Sequence, residues 1–95
     1  MKAFVVRQIS DDLSGVGIED VATPTPGQGD VLVRIEAAGV NFPDYLMCQG
    51  KYQLKPDLPF TPGMEVAGHV AAAGEGVVGF PKGARVVAGA RIGGF

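Results

Sequence analysis

Ninety-five residues, 46% of them hydrophobic, with 8 basic and 10 acidic side chains and a net charge of −2, describe one small folded domain. That balance excludes a disordered chain and a basic field for nucleic acid or anionic lipid. A folded surface of roughly 5,000 Å² leaves room for one modest core, and a complete dinucleotide-binding fold needs two βαβαβ halves, so a self-sufficient dinucleotide enzyme is excluded. No signal-peptide core follows Met1, and no apolar run approaches the roughly 20 residues of a membrane helix. The single cysteine, Cys48, excludes an internal disulfide framework and suits a reducing, cytoplasmic setting.

Thirteen valines against five leucines favour strands over helices, and 15 glycines with 7 prolines favour tight turns between them. A first strand is predicted over Ala3–Ile9, closed by the Ser10-Asp11-Asp12 turn, and a second over Gly17–Val21. Residues 23–30 read as loop, because Pro24 and Pro26 cannot donate to a ladder. Val31–Ala37 alternates, with Val31, Val33 and Ile35 on one face and Leu32, Arg34 and Glu36 on the other. Pro43–Gln49 is the one good helix pattern: Pro43 suits the first turn, Asp44 its dipole and Gly50 its stop. Pro56, Pro59 and Pro62 make residues 51–63 an extended loop. Glu65–Ala73 and Arg85–Ala90 are the last strands, and Gly93-Gly94-Phe95 reads as the start of a further element. Five strands, one short helix and local connections predict a mainly β fold, a small antiparallel barrel or sandwich.

Gly74-Glu75-Gly76-Val77-Val78-Gly79 matches the G-x-G-x-x-G phosphate-binding pattern. The pattern works only when a helix N-terminus follows to face the phosphates. Here Pro81 and Gly83 follow, a strand resumes at Arg85, and 16 residues remain after Gly79. The segment is read as a β-turn.

Four blocks occur in order: Ala37-Ala38-Gly39-Val40-Asn41-Phe42-Pro43-Asp44, Gln49-Gly50-Lys51-Tyr52, Pro59-Phe60-Thr61-Pro62-Gly63-Met64-Glu65-Val66-Ala67-Gly68, and Gly79-Phe80-Pro81-Lys82-Gly83-Ala84-Arg85-Val86. Together they resemble the N-terminal, GroES-like catalytic domain of the medium-chain dehydrogenase/reductases, and within them the zinc-independent quinone oxidoreductase branch. The resemblance spans nearly the whole chain. It departs at Ala84, where the family usually has aspartate. It implies a GroES-like small barrel with one short helix, residues 1–95 being a substrate-side domain truncated from a longer chain that continues into a Rossmann domain. The implied protein is a homodimer that reduces a quinone or an α,β-unsaturated carbonyl with NADPH, the isolated fragment being inactive.

Zinc-dependent members carry a cysteine ligand where this chain has Asn41 and a histidine ligand where it has Met64. Neither amide nor thioether replaces those donors for Zn²⁺, and neither Cys48 nor His69 falls at a ligand position, so no zinc is expected. The resemblance places Asn41 beside the nicotinamide, as a cofactor-binding and catalytic residue; its side chain equally suits a helix cap. It places Tyr52 near the substrate carbonyl, and a loop-packing aromatic is the equal alternative. Phe42, Tyr45, Leu46 and Met64 are the implied substrate-binding residues. A family tyrosine falls at Leu46, whereas the tyrosine here is Tyr45, about 100° round a helix. Asp44 reads as helix-stabilising, Glu65 as a paired strand carboxylate and His69 as a surface or packed histidine. Two other readings are a standalone GroES-like co-chaperonin or interaction module, and a zinc alcohol dehydrogenase domain.

Overall fold

The computed structural model describes residues Met1–Phe95. In chain order it contains β1 (Lys2–Val6), β2 (Val16–Asp20), β3 (Val31–Gly39), α1 (Phe42–Cys48), β4 (Glu65–Ala73) and β5 (Arg85–Gly89). All five predicted strands and the helix are present. The first strand stops at Val6 rather than Ile9, because the Arg7 and Gln8 N–H groups both turn to the Gly15 carbonyl, at 2.9 and 3.3 Å. The Gly15 N–H in turn donates to Ser10 Oγ at 2.9 Å, closing the β1–β2 connection.

The strands form two antiparallel sheets, β1-β2 and β3-β4-β5. Val6 and Phe60 join the first sheet to the long loop before β4 by a pair of backbone hydrogen bonds of 2.8 and 3.1 Å. The core grows around that junction. Val6, Met47, Cys48 and Phe60 are buried together, with Phe4, Leu13, Val16, Tyr52, Leu54 and Met64 packed against them. Burying such side chains stabilises by roughly 1.5–3 kcal/mol each. The hairpin, the helix and the proline-rich loop therefore share one core.

The three-stranded sheet departs from the simple alternation expected of β3. Its register slips between Leu32 and Val33 and again between Ile35 and Ala37, leaving Glu36 as an inserted residue. Ile35 stands beside that bulge, opposite Gly68, which offers no side chain to pack on, and it is 42% exposed. Glu36 pairs with His69 Nδ1 of β4. On the β1–β2 hairpin Arg7 grips Glu19 through two bonds of 2.7 Å. These are exposed pairs of small energetic weight.

The Gly74–Gly79 segment is a turn between β4 and β5, with positive φ at Gly76 (83°) and Gly79 (84°) and no helix after it. Gly93-Gly94-Phe95 runs beside residues 61–63: Gly93 donates to Thr61 (2.7 Å), Gly94 to Gly63 (3.1 Å) and Phe95 to Pro62 (2.9 Å). Phe95 then accepts from the Phe4 N–H and packs edge-on against the Phe4 ring, centroids 6.1 Å apart. The molecule is elongated, 42 × 23 × 22 Å. It exposes 6245 Å², against roughly 5,200 Å² for a compact chain of this mass.

Candidate functional site

The helix start is built by three residues, Asn41, Pro43 and Asp44. Asn41 is the N-cap, with extended backbone (φ −123°, ψ 159°), and Pro43 sits in the first turn, where no N–H is needed. The Asn41 side chain faces the Asp44 N–H as one half of a capping box, and that N–H also bonds to the Asn41 carbonyl at 3.0 Å. The capping role falls to the side-chain oxygen, and the side-chain amide nitrogen forms no hydrogen bond within the domain. The reciprocal half is closed, the Asn41 N–H donating to Asp44 Oδ2 at 2.9 Å. Asp44 is 2% exposed, and its other oxygen accepts the Gly63 N–H at 3.1 Å.

That second bond brings the segment before β4 against the start of α1. The Ala90 N–H donates to the Met64 carbonyl at 2.8 Å and brings the end of β5 to the same place. The three segments surround an open cleft of about 700 Å³ lined by Asn41, Pro43, Met64, Glu65, Gly89, Ala90 and Arg91. A groove of about 460 Å³ continues it along the sheet, sharing Glu65 and Gly89. Glu65 stands in register with Gly39 on one side and Gly89 on the other. Its carboxylate lies over Gly39, where a Cβ would collide with it. Two side-chain-free neighbours keep the floor of the cleft low on either side of that acid.

Of the residues singled out in the sequence, Asn41 and Met64 line this cleft. Phe42 is 70% exposed and stacks on Tyr45, ring centroids 6.3 Å apart and 16° from parallel. The Tyr45 hydroxyl accepts from Gln49 Nε2 at 3.2 Å. Leu46 is half-buried; it, Phe42 and Tyr45 are outside the cleft lining. Tyr52 packs against the Val6–Met47–Cys48–Phe60 cluster, the loop-packing alternative.

Glu65 enters none of the ion pairs, so it lines the cleft as an unpaired acid rather than the paired strand carboxylate expected. Sequence reasoning missed Arg91, Gly89 and Ala90. A signal existed, because antiparallel pairing of the last two strands must return the end of β5 to the start of β4. The cleft therefore carries an amide, one carboxylate, one guanidinium and a thioether on a largely apolar wall. Nowhere do three His, Cys, Asp or Glu side chains converge as a metal-binding group. The Asn41, Met64 and Glu65 set supplies one carboxylate and does not fit a catalytic zinc. Burial pushes the Cys48 thiol above its usual range, and the nearby Asp44 carboxylate adds to this.

Residues 27–94 match the family model described as the alcohol dehydrogenase GroES-like domain. Quinone oxidoreductase-like protein 2 of Rattus norvegicus is 49% identical over 86 residues, which is 90% of this chain and 24% of that protein. Among solved structures, a probable oxidoreductase of Mycobacterium abscessus is 48% identical with a TM-score of 0.86, over 99% of this chain and 29% of that one. The quinone oxidoreductase of Thermus thermophilus, solved also in complex with NADPH, is 35% identical with a TM-score of 0.79, over 99% and 27%. A cobalt- and zinc-bound alcohol dehydrogenase of Pyrobaculum aerophilum is 39% identical with a TM-score of 0.82, over 92% and 26%. The chain spans about a quarter of the length of the relatives it matches. Fold, matched residues and relatives agree: the chain belongs to the alcohol dehydrogenase GroES-like domain family of the medium-chain oxidoreductases.

Proposed function

We propose that this domain forms the substrate side of a zinc-free, NADPH-dependent reductase of quinones or α,β-unsaturated carbonyls. The observation that carries the reading is Asn41: its amide lines the cleft with Met64, where a zinc site would need stronger donors. Similarity to quinone oxidoreductases supports the same class. Relatives about four times longer support a further domain, proposed as a nucleotide-binding Rossmann domain across the cleft, and the whole protein is proposed to be a homodimer. The lone buried thiol supports a cytoplasmic setting.

NADPH, when bound, supplies the hydride; the domain's own residues hold and desolvate its acceptor. The Asn41 amide donates to a carbonyl oxygen or anchors the nicotinamide amide, for which it has both a donor and an acceptor. Met64 and Pro43 offer an apolar wall, and Arg91 provides a positive charge near developing negative charge. Phe42, Tyr45, Leu46 and Tyr52 stand outside the cleft lining and are not assigned the chemistry.

The test is turnover by the full-length protein that carries this domain, with quinones, enones and alcohols offered in parallel and metal content measured on the same sample. NADPH oxidation with a quinone or enone is expected, falling at least tenfold in Asn41→Ala, with no stoichiometric zinc. Alcohol oxidation dependent on bound zinc would replace this reading with the zinc alcohol dehydrogenase one. A seven-membered ring without redox activity would replace it with the co-chaperonin one. The 95-residue chain alone is expected to show no NADPH oxidation, because the reacting groups need both sides of the cleft.

A further inference from the structure

We infer that Asp44 is a positioning residue that sets the distance between two walls of the cleft; this rests on the cleft being the substrate site proposed above. An acid in the first turn of a helix needs only one oxygen at the helix end, and ordinarily sits in water. Asp44 is different on both counts. It is 2% exposed, and each carboxylate oxygen takes a backbone N–H from a different wall: Asn41 at 2.9 Å and Gly63 at 3.1 Å. No cation pairs with it. A buried carboxylate without a counter-ion is costly unless N–H groups satisfy it, so these two bonds are its compensation.

The two donors are well placed to control the site. Asn41 itself lines the cleft, and Gly63 immediately precedes Met64 and Glu65, which line the opposite wall. Gly63 is held from its other side as well, its carbonyl accepting the Gly94 N–H at 3.1 Å. Its φ of +114° and the closeness of the Gly94–Phe95 backbone leave it little room to shift. The third wall is tied to Met64 by the Ala90 bond, which is backbone to backbone. The hydrogen-bonded link from Asn41 to Met64 thus runs through one side chain, Asp44, while Met64 also packs on the cluster that holds Met47 and Cys48 of α1. Loss of either bond removes the polar restraint that fixes the Asn41 amide relative to Met64 and Glu65, leaving the apolar packing alone to hold them.

Two measurements test this. In the wild-type protein, through-hydrogen-bond NMR couplings from the Asn41 and Gly63 amides to the Asp44 carboxylate carbon, with amide exchange at both positions, are expected to show both bonds. A bond to Asn41 alone would make Asp44 a simple helix cap and overturn the proposal. This readout needs no cofactor, substrate or variant, so it stands apart from the proposed activity. In the full-length enzyme, kcat per folded molecule is expected to fall roughly tenfold to a hundredfold in Asp44→Ala, since a 1 Å misplacement costs about 10²-fold. Asp44→Asn, which keeps one acceptor, is expected to recover part of the loss in kcat per folded molecule. A variant that loses folded protein but keeps wild-type kcat per folded molecule would show a purely structural role and refute the inference.

Discussion

Replacing Gly63 with alanine separates two costs that usually travel together. Gly63 has φ +114°, a conformation that costs an L-residue roughly 1–2 kcal/mol. Reduced freedom in the unfolded chain returns roughly 0.4–1 kcal/mol of this, leaving about 1 kcal/mol. The new Cβ would also lie 2.7 Å from Gly94 Cα and from the Phe95 nitrogen. Those are backbone atoms held by hydrogen bonds to Gly63 and Pro62, so they cannot swing away as a side-chain tip would. Forcing atoms into such a space costs typically 1–3 kcal/mol, which brings the total to about 3 kcal/mol. Gly76 is the internal control: its φ is +83°, and an added Cβ meets nothing within 4 Å. Gly76→Ala should therefore show only the conformational cost of about 1 kcal/mol. At roughly 4–8 °C per kcal/mol for a domain of this size, Tm is expected to fall by about 12–24 °C in Gly63→Ala and about 4–8 °C in Gly76→Ala. Thermal unfolding followed by far-UV circular dichroism, with urea midpoints on the same samples, reads both. Equal losses in the two variants would refute the argument, because the close approach of residues 94–95 would then carry no weight.

Two further outcomes follow from the ionisable groups. Cys48 is buried and its thiol is pushed up, first by desolvation and then by Asp44, so iodoacetamide at neutral pH should label the native protein far more slowly than the urea-unfolded one. Equal rates would mean the helix does not shield it. The Arg7 side chain holds the Glu19 carboxylate below its ordinary value of 4.5 by hydrogen bonding, with its charge adding to the effect. A folded value below the unfolded one stabilises fully above the unfolded value and loses that stabilisation as pH falls through the folded one. Stability measured from pH 6 downward should therefore fall less steeply in Glu19→Gln than in the wild type; identical acid limbs would show that the pair is open in solution.

What the sequence determined alone is the part governed by neighbours a few residues away. Valine-rich runs between glycine and proline turns define five strands in the right order, and Pro43 with Asp44 marks the only helix. Pro81 and Gly83 rule out a phosphate-binding helix after Gly79, and a turn is found there. The rest depended on which distant segments meet. The inserted Glu36 and the slip at Leu32 break the two-residue period that sequence reading assumes constant, and Ile35, beside the bulge and opposite Gly68, is left exposed. Tyr52 joins the core because the proline-rich loop folds across α1 and β1. Arg91 and Glu65 share the cleft only through the antiparallel return of β5 along β4. Asp44 is legible as a helix-start acid, but its bond to Gly63 spans 19 residues. Local periodicity and capping are written in short windows of chain; a cleft is made by long-range register, which the tertiary fold alone decides.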